Sequence, residues 1–184
     1  MSGDPEKRGA FMRQLAINRF LKKDSAACEV VPRLHIGSIG SAHSRASLLT
    51  AGITHVLCVA ANIEPMHGEM VVHMCISVKD APGEPLIERF DECFAFIDGA
   101  LSSSETHRVL VHCFQGKSRS ATVVTAYLMR SRQLGFIDAL ALLREVRPIA
   151  QPNLGFAMQL RRFERNELAA RGEGDDESSG GGTR

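Results

Sequence analysis

The stretch VLVHCFQGKSRS, residues 109–120, is the most informative part of the chain for both fold and function. A β-branched apolar run leads into Cys113, and Arg119 follows six residues later with glycine and serines between them. This order predicts a strand that ends at Cys113 and a helix that begins near Ser120. The N–H groups of the connecting loop and the positive end of the helix dipole would then converge on one point, where a phosphate dianion can be held.

Cys113 has the neighbours that a nucleophilic thiol requires. Helix N-termini and nearby cations lower the pKa of a cysteine and so make a thiolate available near neutral pH. The planar guanidinium of Arg119 can bind two phosphate oxygens at once. A lone buried cysteine at a strand end is usually an inert hydrophobic side chain. The functional prediction therefore depends on the combination of Cys113 and Arg119 with His112, Gly116 and Ser120.

Strand-like and helical patterns alternate around this stretch. The strand candidates lie over 28–31, 34–37, 55–60, 71–78 and 109–111. The helix candidates lie over 44–51, 86–101, 121–130, 136–146 and 154–170. Strands separated by helices predict an α/β fold with a largely parallel central sheet of about five strands, flanked by helices on both faces. Ligands of such sheets bind outside the carboxyl ends of the strands, which is where Cys113 falls.

Composition fits a single globular domain of an intracellular enzyme. The 184 residues are 44% hydrophobic and 23% charged, and a net charge of +1 gives no reason to expect nucleic acid as a partner. The five cysteines form no C-x-x-C pair and the chain starts without an apolar leader, so reduced thiols in the cytoplasm or nucleus are expected. The seven histidines show no metal-binding spacing, and neither a metal nor another cofactor is predicted.

The two ends differ from the predicted domain, which we place at residues 24–171. Residues 1–23 form a basic segment in which six basic and no acidic residues lie between Lys7 and Lys23, and its apolar residues can share one side of a helix. Such a helix is typical of a calmodulin target or of an element that binds an anionic membrane surface. A helix that docks on the domain and a solvated arm remain the simpler alternatives. Residues 172–184 are expected to be a disordered acidic and glycine-rich tail.

Attack of a thiolate on phosphorus requires a proton donor for the departing oxygen. Asp80 is the candidate, because it follows a strand-like run and opens a loop with proline and glycine at 81–85, a composition typical of a mobile segment over a cleft. Glu84 in the same loop and Asp91 in the following helix are rival candidates. A local turn-forming role would be the simplest function of Asp80.

The string HCFQGKSRS, residues 112–120, resembles the signature loop of the cysteine-dependent protein tyrosine phosphatase superfamily. Its R-S ending resembles the dual-specificity branch, and the loop is most similar to that of plant members. VKD at 78–80 and RPIAQPN at 147–153 are similar to other segments of the branch, and the resemblance runs from about Cys28 to Glu164. It implies the compact dual-specificity form of the protein tyrosine phosphatase fold.

The resemblance also implies the reaction. Cys113 would form a phosphocysteine, and Arg119 would bind the phosphate and the transition state. Asp80 would act first as general acid and then, as a carboxylate, activate water. Ser120 would donate a hydrogen bond to the departing sulfur, and a position as the N-cap of the helix would be compatible with that role.

Further residues receive supporting roles from the resemblance. His112 would hold the shape of the loop, and Asn153 would support it from a neighbouring segment, with helix capping as an equally simple account of Asn153. The residues that would surround the phosphate are Phe114, Gln115, Gly116, Lys117, Ser118 and Arg119.

The expected substrates are phosphotyrosine and phosphoserine or phosphothreonine in proteins, with MAP kinases as a family-level analogy. The chain has no Trp and one Tyr, Tyr127, so neither residue type can line the deep slot of a phosphotyrosine-specific enzyme. A non-protein phosphomonoester, such as a phosphoinositide or an RNA 5′-phosphate, is a second candidate, although Lys117 is the one lysine in the loop, which disfavours lipids. The chain could also be a phosphopeptide-binding module without turnover, or a redox protein in which Cys58 or Cys75 pairs with Cys113.

Overall fold

A computed structural model describes residues 24–176. The predicted basic segment at 1–23 and residues 177–184 of the predicted tail lie outside the described residues. Within residues 24–176, no helix combines the length and the apolar character needed to cross a bilayer.

The described residues form one five-stranded sheet, which confirms the predicted fold class. Its strands are β1 (Cys28–Val31), β2 (Leu34–Gly37), β3 (His55–Val59), β4 (Val72–Ile76) and β5 (Val109–His112). The order across the sheet is β1-β2-β5-β3-β4. Only the β1–β2 pair is antiparallel among these strands, and β5 pairs in parallel with β2 on one side and β3 on the other.

Helices cover both faces of this sheet. They are α1 (Ile39–His43), α2 (Arg45–Ala51), α3 (Phe90–Ser103), α4 (Arg119–Ser131), α5 (Phe136–Val146) and α6 (Leu154–Asp176), with a 3₁₀ helix at Leu86–Arg89. Val109 and Val111 of β5 face the large core shared with α3 to α6, whereas Leu110 faces the smaller core under α1 and α2. All three side chains are fully buried, as expected for the centre of a parallel sheet.

Helix α1 was not predicted, and two helices differ from their predicted bounds by more than two residues at one end. The helix predicted over 86–101 divides into the 3₁₀ helix and α3, and Gln159 of α6 accepts a hydrogen bond from the Ile87 N–H at 2.8 Å. That contact comes from a distant part of the chain and holds the first turn against α6. Helix α6 continues to Asp176 rather than ending at 170, into the segment predicted as tail. Gly172 and Gly174 disfavour a helix without preventing it, and no proline interrupts residues 170–176.

The topology brings three segments to one edge of the sheet. The carboxyl end of β5 leads into the loop at 113–118, and that loop enters α4. The carboxyl end of β4 leads to Val78 and Asp80, two positions away from β5 in the sheet order. The end of β2 at Gly37 lies directly beside His112 at the end of β5.

Candidate active site

Cys113 lies at the floor of the loop between β5 and α4. It is 1% exposed, and its Sγ accepts a hydrogen bond from Ser120 Oγ at 3.2 Å. Helix α4 begins at Arg119, so Arg119 and Ser120 both lie in its first turn. The N-cap position belongs to Ser118, whose side chain does not cap the helix. Ser120 therefore contacts the sulfur directly, and the capping role considered for it from the sequence is not the one observed.

The carbonyl groups of residues 113–117 all accept hydrogen bonds from protein groups that surround the loop. In chain order, the donors are His112 Nδ1 at 3.2 Å, the Ile39 N–H at 3.1 Å, Arg147 Nη2 at 2.8 Å, Arg147 Nε at 3.2 Å and the Gln151 N–H at 2.7 Å. Five consecutive peptide groups are thus fixed from behind.

The fixed carbonyls determine where the amides of the loop point. In a planar trans peptide the C=O and the following N–H point in opposite directions. The N–H groups of residues 114–118 are therefore directed away from the scaffold that binds the carbonyls. Among the described residues, the N–H groups of 115–118 have no hydrogen-bonded protein acceptor. A row of such amides next to a helix N-terminus is a binding site for a tetrahedral oxyanion.

Gly116 allows the loop to make this turn. Its φ of +63° lies in the left-handed region that favours glycine. A Cβ at this position would lie 2.5 Å from the carbonyl oxygen of Gly37 and 2.7 Å from Arg147 Nη2. The loop is therefore packed against the end of β2 and against Arg147 with no space for a side chain.

Arg119 connects the loop to the segment that carries Asp80. Its Nη1 donates to the Val78 carbonyl at 3.2 Å, and its Nε lies 3.7 Å from Asp80 Oδ2. The Nε is buried and makes no hydrogen bond. Because a guanidinium presents several donors in one plane, this anchored side chain can bind a phosphate with its remaining N–H groups.

Asp80 is held at the entrance of the loop by two neighbours. Its Oδ1 accepts from Ser118 Oγ at 2.7 Å and from Asn153 Nδ2 at 2.9 Å. Asn153 also caps the first turn of α6, since its Oδ1 accepts from the Phe156 N–H at 3.0 Å. The side chain of Asn153 thus caps α6 and binds Asp80, whereas its contact with the loop comes from its backbone N–H, which donates to Ser118 Oγ at 3.2 Å.

The rival acids are placed elsewhere. Asp91 lies on the solvent side of α3 and pairs with Arg130 near the far end of α4, with Oδ1 2.7 Å from Nη1. Glu84 contacts α6 through its backbone carbonyl, which accepts from Gln159. The geometry therefore favours Asp80 as the acid that faces the loop.

His112 is buried and supports the loop from below. Burial lowers its pKa to about 4, so the ring is neutral near pH 7. Since a carbonyl can only accept, the proton of the neutral ring lies on Nδ1, which donates to the Cys113 carbonyl. A neutral ring used in this way is suited to holding backbone rather than to accepting a proton during a reaction.

The rim of the loop is formed by more exposed side chains. Gln115 and Lys117 are exposed, whereas Phe114 is half-buried.

Among residues 24–169, whose side chains are described, no group of three or more His, Cys, Asp or Glu side chains is arranged to hold a metal ion. The groups that converge on the loop are a thiol, a guanidinium, a carboxyl group and backbone amides.

Sequence reasoning missed the groups that hold the loop from behind. Arg147 lies inside the RPIAQPN segment but received no role, and Ile39 and Gln151 act through backbone N–H groups, which carry no sequence signal. Asp24, which pairs with Arg147, is 123 positions away in the chain. The signal that could have indicated a role for Arg147 is its position, since it is a charged residue between the end of α5 and Pro148.

Comparison with known proteins gives consistent results. A family model for the dual specificity phosphatase catalytic domain matches residues 34–166. Dual specificity protein phosphatase 1B of Arabidopsis thaliana is 44% identical over 138 residues, which cover 75% of this chain and 81% of that protein. MAP kinase phosphatase with leucine-rich repeats protein 3 of Dictyostelium discoideum is 36% identical over 141 residues, 76% of this chain but 16% of that protein.

A solved structure has the same fold. The crystal structure of human tyrosine phosphatase-like serine/threonine/tyrosine-interacting protein matches with a TM-score of 0.74 and 34% identity. The match covers 78% of this chain and 99% of that one.

Proposed function

The chain belongs to the dual specificity phosphatase family and is a cysteine-dependent protein phosphatase; on that basis we propose that it hydrolyses phosphotyrosine and phosphoserine or phosphothreonine through a phosphocysteine at Cys113. We assign the catalytic domain to residues 24–171. The observation that carries the proposal is the loop itself, in which five carbonyls are bound from behind while Ser120 donates to the sulfur at 3.2 Å.

In the first step the Cys113 thiolate attacks phosphorus and the bond to the substrate oxygen breaks. The amides of residues 115–118 and the Arg119 guanidinium bind the equatorial oxygens, over which negative charge is spread in the transition state. Asp80 gives its proton to the departing oxygen. Because Oδ1 already accepts two hydrogen bonds, we assign this proton to Oδ2, the oxygen on the side of Arg119.

In the second step a water molecule attacks the phosphocysteine, and Asp80 accepts its proton as the S–P bond breaks. Sulfur leaves as a thiolate, and the hydrogen bond from Ser120 Oγ stabilises that charge. Inorganic phosphate then dissociates, and the enzyme returns to its starting state.

The roles of the two steps can be tested separately. With p-nitrophenyl phosphate, Cys113→Ser is expected to abolish turnover and Asp80→Asn to lower kcat by about 100-fold.

Ser120→Ala is expected to slow the second step, so that a burst of p-nitrophenol precedes a slower steady rate. Thr125→Val is the matched control, because it removes a buried hydroxyl from α4 that has no hydrogen-bond partner. Loss of turnover in Thr125→Val equal to that in Ser120→Ala would contradict the role of Ser120.

The substrate class is supported by the rim of the loop and by the relatives. Neither Trp nor a second Tyr is present to build a deep aromatic slot, and Tyr127 donates to Asp98 within the packed helices. A shallow site accepts phosphothreonine as well as phosphotyrosine. The Dictyostelium relative is named a MAP kinase phosphatase, so a doubly phosphorylated activation-loop peptide is the substrate of first choice.

Two competing functions are distinguished by the same assay. A phosphoinositide or an RNA 5′-phosphate would be hydrolysed faster than the doubly phosphorylated peptide if the protein acted on a non-protein substrate. A phosphopeptide-binding module, for which the interacting protein among the structural relatives is a precedent by name, would bind the peptide without releasing phosphate. Preferential turnover of the peptide at both phosphoresidues is the expected result.

A further inference from the structure

Arg147 is the charged member of the scaffold behind the phosphate-binding loop. It follows α5, and its side chain is 7% exposed. Its guanidinium donates to the Gln115 carbonyl through Nη2 at 2.8 Å and to the Gly116 carbonyl through Nε at 3.2 Å. Two of the five peptide groups that shape the loop are therefore oriented by this single side chain.

The opposite side of the same guanidinium is bound by Asp24. Arg147 Nη1 donates to Oδ1 at 2.8 Å and Nη2 to Oδ2 at 2.5 Å, so the pair is bidentate. The Asp24 side chain is 21% exposed, and the pair lies largely out of solvent. A paired guanidinium keeps one orientation, whereas an unpaired buried one is driven to turn toward water or toward another anion.

The backbone around Asp24 is also attached close to the loop. The Asp24 carbonyl accepts from Ser38 Oγ at 2.6 Å, and the Ala26 carbonyl accepts from Ser41 Oγ at 2.7 Å. Ile39, between these two serines, donates its N–H to the Phe114 carbonyl of the loop. The segment at 24–26 is thus connected to the loop in two ways. One is the ion pair between Asp24 and Arg147, and the other is the set of hydrogen bonds through residues 38–41.

We propose that Asp24 and Arg147 are positioning residues for phosphate binding, so that the segment entering the domain at Asp24 sets the geometry of the catalytic loop. This inference rests on the proposed function of that loop. The Arg147 fork turns the Gln115 and Gly116 carbonyls inward, and planarity of the peptide then turns the N–H groups of Gly116 and Lys117 toward the phosphate. Loss of the Asp24 carboxylate releases the fork and misaligns those two amides.

The test is direct binding of inorganic tungstate, a tetrahedral oxyanion, to the full chain by titration calorimetry. Asp24→Asn is expected to raise the Kd for tungstate and the KM for p-nitrophenyl phosphate by about tenfold. Asp24→Glu, which keeps the carboxylate, is expected to recover most of the affinity. Arg147→Lys is expected to raise the Kd for tungstate as Asp24→Asn does, because an ammonium cannot bind both carbonyls and the carboxylate in one plane.

The matched control is Glu167→Gln. Glu167 also accepts two hydrogen bonds from one arginine, Arg130, and its side chain is 23% exposed, but this pair lies at the far end of α4. The variant is expected to lower the unfolding midpoint like Asp24→Asn while leaving the Kd for tungstate unchanged. This comparison separates an effect on the loop from general destabilisation.

Several results would overturn the inference. They are an unchanged Kd in Asp24→Asn or Arg147→Lys, equal losses in Asp24→Asn and Asp24→Glu, or an equal loss in Glu167→Gln. If Asp24→Asn does not fold, Asp24→Glu and Arg147→Lys, which both keep the two charges, decide the question by the same criterion. A wild-type protein that binds tungstate but releases no phosphate would contradict the proposed function instead.

Discussion

Gly116 is the position in the loop where a side chain is least tolerated. Its φ is +63°, and a Cβ would meet the Gly37 carbonyl oxygen at 2.5 Å. Gly116→Ala is therefore expected to lower kcat/KM for p-nitrophenyl phosphate by more than about 100-fold, since the amides must move to relieve the contact. Steady-state kinetics measures this loss.

Gly99→Ala is the matched control for that substitution. Gly99 lies within α3, and a Cβ there would meet nothing within 4 Å. Alanine at this position is expected to raise the free energy of unfolding by about 0.5–1 kcal/mol and to leave kinetics unchanged. Equal activity of Gly116→Ala and Gly99→Ala would show that the loop does not have the geometry described.

Residue-level prediction from the sequence was possible where the signal was local. Cys113, Arg119 and Ser120 could be assigned to one site because strand, loop and helix start follow one another within twelve positions, and their catalytic roles are proposals. The contacts that shape the loop from behind were not found. Asp24 and Arg147 are brought together by the whole fold, and their pairing leaves no pattern in either local segment.

The first turn of helix α6 packs closely against the segment that carries Asp80. A Cβ on Gly155 would lie 1.8 Å from the Pro82 carbonyl oxygen. Gly155→Ala is therefore expected to displace the 80–85 segment and impair protonation of the leaving group. Hydrolysis of phenyl phosphate, which has the more basic leaving group, should fall more than hydrolysis of p-nitrophenyl phosphate.

Gly83 offers the control within the same segment. A Cβ on Gly83 would meet nothing within 4 Å, so Gly83→Ala is expected to leave the rates on both substrates within about twofold of wild type. If Gly155→Ala slowed both substrates equally, or if Gly83→Ala reproduced its effect, contact between α6 and the acid would not be the cause.

At the scale of elements, the alternation of strands and helices was predictable because each strand is a short apolar run bounded by turn residues. The division at 86–103 into a 3₁₀ helix and α3 was not, because it depends on Gln159 of α6 reaching the Ile87 N–H. The end of β4 at Ile76, before the predicted end at 78, has a related cause. The Val78 carbonyl accepts from the Ala61 N–H and from Arg119 instead of continuing the sheet.

Stability of the whole molecule should depend on pH through four histidines that are buried or partly buried. Burial lowers the pKa of His112 to about 4, and it also lowers those of His35, His43 and His55 below 6.5. Between pH 4 and 6.5 the unfolded chain therefore binds more protons than the folded one, and the free energy of unfolding falls as the pH falls. His112 alone contributes about 2–3 kcal/mol of this loss between pH 7 and 4.5.

Urea unfolding of wild type and His112→Asn across this range measures that contribution. Asparagine can still donate to the Cys113 carbonyl but does not titrate, so the variant is expected to lose stability less steeply on acidification. Identical slopes for the two proteins between pH 4.5 and 7 would mean that the pKa of His112 is the same in the folded and unfolded states.

The most direct test of the mechanism is the identification of the covalent intermediate. Wild-type protein mixed with p-nitrophenyl phosphate, quenched in acid within milliseconds and digested, is expected to carry one phosphoryl group on the peptide that contains Cys113, bound to sulfur. Turnover that proceeds without this adduct, or with phosphate on another side chain, would contradict the claim that the loop presents a nucleophilic thiolate to a bound phosphate.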